Sequence, residues 1–335
     1  MAQLEVRNLT TRLKLEGKVY KVIHDLSFKL EAGKTLALVG ETGCGKSMTA
    51  LSLLGIVPKP PLFSIEGEVL YKGIDLLKLN PGELRRIRGR QIAMIFQDPR
   101  SSLNPVYTIG DQLMEVCFNH LNLAPTLAKE RVIQGLEEVQ LIKPERLLKE
   151  YPHQLSGGML QRVMIAMALL CQPDILIADE PTTALDVTIQ KQIIELLKGI
   201  QKKRGMATLL ITHDMGVVAE IADDVVVMYA GQKIEEAPVS HLFEHPSHPY
   251  TQALFASRPK RPISECKLPT IAGSVPRITA LPKGCHFHPR CPYVMPLCKQ
   301  DLIDLFPLPQ KNHHARCLLF DEHLQWKLDD NDAES

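Results

Sequence analysis

The string GETGCGKS, at positions 40–47, sets two glycines, a lysine and a serine at the spacing that suits phosphate chemistry. Gly40, Gly43 and Gly45 permit backbone conformations that turn successive N–H groups toward an anion. Glu41, Thr42 and Cys44 fill the loop, Lys46 can reach the β- and γ-phosphates of a nucleotide, and the Ser47 hydroxyl suits Mg²⁺. Met48 follows on the first helical turn and completes the expected nucleotide-contacting set. Cys44 sits at a helix start, where a thiol can become reactive, but smallness alone explains it there.

Two further strings carry chemistry. ILIADE, at 175–180, is an apolar strand ending in two carboxylates. Asp179 is placed to hold Mg²⁺, and Glu180 to polarise an attacking water, though acidic pairs end many strands without such a role. LSGGMLQR, at 155–162, puts Ser156, Gly157 and Gly158 at the head of a helical run, a second anion-binding terminus that Ser156 also caps.

Of the eight cysteines, Cys44, Cys117, Cys171 and Cys266 are scattered, while the rest follow Cys285-x5-Cys291-x6-Cys298-x18-Cys317. In a reducing compartment such a cluster suggests a soft metal site rather than disulfides. The paired C-x2-C knuckles of structural zinc are missing. Zinc with His286, His288, His313 or His314 replacing a thiol, and free thiols, remain open readings.

These residues need elements to hold them. LEVRNL, KVYKVI and LSFKL read as short strands, and TLALV before the glycine loop as a buried strand feeding a helix. GEVLYK and QIAMIF are further strands, and the period turns helical from about 110 to 150 and again through 157–170. Strand ILIAD, a helix over 188–203, strand ATLLIT, a helix over 215–221 and strand VVVMYAG follow. Strands alternating with helices predict an α/β fold with a mostly parallel sheet covered on both faces and a helical insertion. Beyond Arg258 the text is rich in proline and weakly periodic, which predicts a boundary near residue 260 and a small irregular domain with little core.

Composition narrows the classes. The 335 residues, 45% hydrophobic and 23% charged, suit about two globular domains. Lys and Arg number 39 against 38 Asp and Glu, a net charge of +1 that argues against nucleic acid bound through a broad basic face. The longest apolar runs are about half the roughly 20 residues of a membrane helix. No signal peptide is read at the N-terminus, so a soluble intracellular chain is expected. ELRRIRGR, at 83–90, reads as a solvated helix face rather than a lipid-binding patch.

Taken in order, the glycine loop, Gln97 after QIAMIF, the LSGGMLQR string, the ADE carboxylates, ALD at 184–186 and His213 after LLIT resemble the motifs of ABC-transporter ATPases. The surrounding text, FQDPRSSLNP, YPHQLSGGM, DEPTTALDVTIQ, HPYTQAL and the C-terminal GSVPRI and PKGCHFHPRCPY, looks like the ATPase subunits of the dipeptide/oligopeptide (peptide/nickel) importers. The resemblance implies an ABC-type P-loop NTPase domain over 1–260, with a mixed sheet, an antiparallel β subdomain and a helical subdomain at about 98–170. An extension follows over 261–335.

It also implies roles. Lys46 and Ser47 would bind phosphates and Mg²⁺, with Asp179 and Gln97 as metal partners. Glu180 would be the general base, Gln97 would sense Mg²⁺ and the lytic water, and His213 would contact the γ-phosphate. Ser156, Gly157 and Gly158 would serve a nucleotide held on a second ATPase subunit, identical or different, with Asp186 near that seam. Adenine stacking falls near Leu13 by register, and Tyr20 is the nearest aromatic. Two transmembrane permease subunits would dock on residues 97–105, fed by an extracytoplasmic peptide-binding protein. The chain would lie peripherally on the cytoplasmic face of the plasma membrane. The same resemblance implies a [4Fe–4S] cluster on Cys285, Cys291, Cys298 and Cys317, with Zn²⁺ as runner-up. Nickel or metal-chelate import, a soluble ABC ATPase acting on DNA or ribosomes, and a redox sensor built on the cysteine tail are the competing functions.

Overall fold

The computed structural model describes residues 2–58, 60–183, 185–257 and 271–321. Ala184, Cys266, the 258–270 segment that holds the expected boundary, and residues 322–335 lie outside the described residues. In chain order the strands are β1 (Ala2–Leu15), β2 (Lys18–Glu31), β3 (Thr35–Val39), β4 (Phe63–Tyr71), β5 (Ile74–Asp75), β6 (Ile92–Ile95), β7 (Ile175–Asp179), β8 (Ala207–Thr212), β9 (Asp224–Tyr229), β10 (Gln232–Pro238), β11 (Phe306–Pro307) and β12 (His314–Ala315). The helices are α1 (Lys46–Leu53), α2 (Pro81–Ile87), α3 (Pro99–Ser102), α4 (Ile109–Val116), α5 (Pro125–Glu138), α6 (Pro144–Leu147), α7 (Gly157–Leu169), α8 (Val187–Arg204), α9 (Met215–Ile221), α10 (Val239–Glu244) and α11 (Pro249–Ala256). Among the described residues no helix is long and apolar enough to cross a membrane.

The chain divides into two compact units. The first comprises Met1–Glu5, Lys29–Thr35 and Leu70–Thr212. Its centre is the parallel run β6-β7-β8, in register Ile92↔Ile175 and Ile175↔Ala207. All of β7 and β8 is buried, which is why ILIAD and ATLLIT lack the alternation of a half-exposed strand. Helix α4 starts at a capping box between Thr108 and Asp111, and a π turn over Cys117–Leu121 ends it at left-handed Asn122. Helix α5 buries Ala128, Val132 and Leu136 at four-residue spacing. Close approach to the segment after α7 demands Gly135, where a Cβ would stand 2.8 Å from Leu170 Cδ2.

The second unit comprises Val6–Phe28, Leu36–Val69 and His213–Ser335. Here β3 pairs with β9 in parallel, and β10 then pairs antiparallel with β9 and with β12. The sheet is therefore mixed, as the family resemblance implies, and not mostly parallel as the strand–helix alternation alone suggests. A second sheet has the order β2-β1-β4. Its hairpin turns at Glu16 and Gly17, both with φ near the left-handed value (46° and 79°), as a tight two-residue turn requires. KVYKVI and LSFKL, expected as separate strands, form one strand that bends at Asp25 (φ 46°), whose carboxylate accepts a hydrogen bond from the Thr10 hydroxyl at 2.9 Å.

The C-terminal text departs from expectation. The separate small Cys-rich domain is not supported: described residues 271–321 belong to the second unit. β12 extends the sheet through Glu235↔Ala315 and Glu236↔His314, and β11 pairs with β12. Phe287, 1% exposed, packs edge-on to Tyr229 and Tyr250 at 5.2 and 5.4 Å between ring centres. Burying such a ring contributes roughly 1.5–3 kcal/mol, so the tail shares an existing core instead of needing its own.

Candidate functional site

Strand β3 ends at Val39, and residues 40–45 wrap into α1 with no capping side chain. Gly40, Gly43 and Gly45 have φ of 152°, 84° and 106°, a conformation that side chains with a Cβ resist. At Gly40 a Cβ would also stand 2.3 Å from the Met228 carbonyl oxygen, so only glycine fits there. Lys46, 5% exposed, curls back on this loop: its Nζ donates to the carbonyls of Gly40 (2.8 Å) and Glu41 (3.1 Å). An ammonium held by neutral carbonyls remains a full positive charge for an incoming phosphate. Burial pushes the Cys44 thiol up, more than nearby Lys46 lowers it, so Cys44 is a packing residue and not a reactive one.

In the first unit, buried β7 ends at Asp179, 4% exposed, and Glu180 follows in a left-handed backbone conformation (φ 47°). That strain is held by the Glu180 N–H donating to Ile211 O at 2.8 Å. One Glu180 carboxylate oxygen accepts from Gln97 Nε2 at 2.9 Å and from the Thr183 hydroxyl at 2.8 Å. Two donors on one oxygen fix the carboxylate's orientation at the end of the strand. Ser156 caps α7 by accepting from Met159 N at 3.3 Å, and Asp186 caps α8 by accepting from Ile189 N at 2.9 Å. Both caps are exposed. Gly158 lets α7 pass Ile189, whose Cγ2 would meet a Cβ at 3.0 Å.

The first unit thus brings together Gln97, Asp179 and Glu180 and holds Ser156, Gly157, Gly158 and Asp186. The second holds residues 40–48, Tyr20, His213 and the four tail cysteines. Tyr20 is half-buried on β2, and Leu13 is half-buried on β1. Thr183, Tyr250 and Arg290 were missed by sequence reasoning. Thr183 lay in plain view beside the carboxylates, in DEPTTALD. Tyr250 donates nothing to chemistry directly, but its hydroxyl accepts the Glu41 N–H at 2.8 Å. Arg290 donates to both Glu41 carboxylate oxygens, at 2.7 and 3.1 Å.

Cys285, Cys291, Cys298 and Cys317 line one cleft together with His248 and His288. Burial pushes the Cys285 thiol up to about 11 and the Cys317 thiol up to about 12, and it raises Cys291 as well. Yet among the described residues no three His, Cys, Asp or Glu side chains gather to hold a single metal ion. The expected metal centre is therefore without support in this geometry, although four thiols on one cleft are the donor set that iron–sulfur chemistry uses.

A glycine phosphate loop between strand and helix, and a buried strand ending in a carboxylate pair, define a P-loop nucleoside triphosphatase. Residues 23–183 match the family described as ABC transporter, and residues 234–298 match the oligopeptide/dipeptide transporter C-terminal region. The chain is 44% identical over 334 residues to the dipeptide transport ATP-binding protein DppD of Bacillus subtilis, covering 99% of this chain and 98% of that one. It is 46% identical over 319 residues to the oligopeptide transport ATP-binding protein AppD of the same organism, covering 95% and 97%. Among solved structures it resembles the ATP-binding cassette MJ0796, a dimer bound to ADP and Pi, with TM-score 0.62 and 28% identity over 70% of this chain and 98% of that one. The chain belongs to the ABC ATPases, in the family of peptide-transporter ATP-binding proteins.

Proposed function

We propose that this chain is the ATP-hydrolysing subunit of a membrane importer for dipeptides and oligopeptides. Residues 1–260 serve as the nucleotide-binding domain, with the helical subdomain over 98–170 and the extension over 261–335. The observation that carries the catalytic half is Glu180, strained at the end of β7 and aimed by Gln97 and Thr183. The transport half rests on chain-long likeness to proteins named for dipeptide and oligopeptide transport.

In the proposed cycle the amides of residues 40–47 and Lys46 grip the phosphates. Ser47, Asp179 and Gln97 offer oxygen donors that suit a hard cation, and Mg²⁺ bound there would neutralise phosphate charge. Glu180 takes the proton of the attacking water, Gln97 orients that water, and His213 contacts the γ-phosphate. Tyr20 stacks on adenine. Ser156, Gly157, Gly158 and Asp186 cap a nucleotide carried by a second ATPase subunit, a role that the exposure of both caps supports. Two permease subunits dock on residues 97–105. Phe96, Val106 and Tyr107, exposed at 41%, 72% and 55%, flank that segment and suit an apolar partner. The complex lies on the cytoplasmic face of the plasma membrane and takes peptide from an extracytoplasmic binding protein.

For the tail, the proposal is a [4Fe–4S] cluster on Cys285, Cys291, Cys298 and Cys317, with Zn²⁺ second. It rests on the chemistry of four thiols that line one cleft, the donor set such a cluster takes, and not on a closed metal site. A cluster would give the tail a covalent anchor, since thiolate ligation is coupled to folding. Iron, sulfide and zinc analysis of anaerobically purified protein tests it: about four irons per chain is expected, and metal-free protein overturns it.

Transport is tested in vesicles carrying the complete complex. ATP hydrolysis stimulated by a dipeptide and its binding protein, with dipeptide uptake, is the expected result. Uptake of a nickel chelate without dipeptide uptake would replace the substrate, and neither would refute import.

A further inference from the structure

Glu41, the second residue of the phosphate loop, is held at every polar atom by groups of the second unit. Its N–H donates to the Tyr250 hydroxyl at 2.8 Å, and its carbonyl accepts from Lys46 at 3.1 Å. Its carboxylate lies on the guanidinium of Arg290, some 249 positions away, in a bidentate pair of 2.7 and 3.1 Å. Arg290 is itself fixed on all sides. It donates to the carbonyls of Ala272 (2.7 Å) and Ile271 (3.3 Å) and to the Tyr229 hydroxyl (3.2 Å). Its guanidinium also lies 5.7 Å from the Tyr229 ring centre and 5.8 Å from that of Phe287. Its side chain is 5% exposed, whereas that of Glu41 is 27% exposed.

A carboxylate inside a loop that must accept a polyanion is a liability, because like charges at such range repel. A fork-shaped guanidinium cancels that charge and fixes the direction of the side chain that carries it. We propose that Arg290 is a positioning residue of the nucleotide site, which lets the C-terminal extension tune ATP affinity by neutralising Glu41. This rests on the reading that residues 40–47 bind ATP. A tail disturbed near Cys291, the next residue, would release the Glu41 charge toward the phosphates and weaken nucleotide binding.

The test is a double-mutant cycle in the full-length chain, read as the Kd of a fluorescent ATP analogue in Mg²⁺ at low and high salt. Arg290→Gln is expected to weaken binding about tenfold at low salt, and less at high salt, as screening dictates. The double variant Arg290→Gln/Glu41→Gln is expected to bind within about threefold of Glu41→Gln alone, since the charge to be neutralised is gone. Arg290→Lys keeps the charge but loses the fork and is expected to fall between wild type and Arg290→Gln. A double variant as weak as Arg290→Gln, or a Lys variant equal to the Gln variant, would overturn the proposal and reduce Arg290 to a brace for the tail. Thermal midpoints of the wild type and the four variants, taken alongside, register bracing separately. Wild-type protein that binds no ATP would instead refute the function itself.

Discussion

The phosphate loop and the cysteine cleft lie in the same compact unit and are assembled from different material. In the loop the groups proposed to face the ligand are main-chain amides and one lysine, fixed by three positive-φ glycines and by the loop's own carbonyls. In the cleft they are four side chains from separate turns, where burial raises the Cys285, Cys291 and Cys317 thiols, and among the described residues they do not close on a single ion. A site made of backbone is complete before its ligand arrives. A site made of side chains is completed by the guest, which must displace protons to enter. The first kind is a matter of local conformation, and the second depends on how distant segments are brought together.

The comparison is most exposed at Gly40. Ala there would need φ of 152° and would collide with the Met228 carbonyl, so the loop cannot keep its path. Nucleotide affinity in Gly40→Ala should fall by roughly 100-fold or more, equivalent to about 3 kcal/mol of the strain that such positions carry. Equilibrium binding of labelled ATP measures it, and near wild-type affinity would mean that the loop is not preset by its backbone.

The cleft side can be probed through His248, which lines it and is buried. Burial lowers its pKa to about 4 from the ordinary 6.5. The unfolded chain therefore takes up a proton first as pH falls below 6.5, and the folded state loses stability down to about pH 4. Above pH 6.5 the residue contributes no pH dependence. The loss amounts to about 3 kcal/mol. His248 Nδ1 accepts the Tyr250 N–H at 3.0 Å, a bond that His248→Asn can imitate. Urea unfolding of that variant between pH 7 and 4 should show a correspondingly flatter decline, and an unchanged decline would assign the acid sensitivity elsewhere.

The smallest effect is expected at a cap outside both regions. Asp186→Ala removes the acceptor for Ile189 N at the start of α8 and should cost about 1 kcal/mol by urea unfolding. A cost above about 3 kcal/mol would show that this exposed position does more within the isolated chain than cap a helix.

The parts legible in the sequence are those set by local rules. The glycine loop, the apolar strands β7 and β8, and helices α7 and α8 appear within a residue or two of where periodicity and capping put them. The mixed sheet came only from the family resemblance, not from local pattern: β10 does not alternate, with Gln232, Lys233, Ile234 and Glu235 all buried, and nothing local gives its direction. The tail was misjudged for a related reason: its few apolar residues look insufficient alone, yet Phe287 enters a core supplied by Tyr229 and Tyr250. The Arg290–Glu41 pair spans 249 positions and depends wholly on that packing. At the carboxylate pair, type and place single out Glu180 as a candidate, while its strained backbone and the Thr183 hydrogen bond emerge only in three dimensions.

The most direct measurement is ATP turnover by Glu180→Gln in the assembled transporter, with nucleotide binding measured on the same preparation. Hydrolysis should fall by at least about 100-fold while Mg·ATP affinity stays within a few-fold, because the amide keeps the shape of the side chain and loses its basicity. Turnover at the wild-type rate would contradict the assignment of Glu180 as the base on which this ATPase runs.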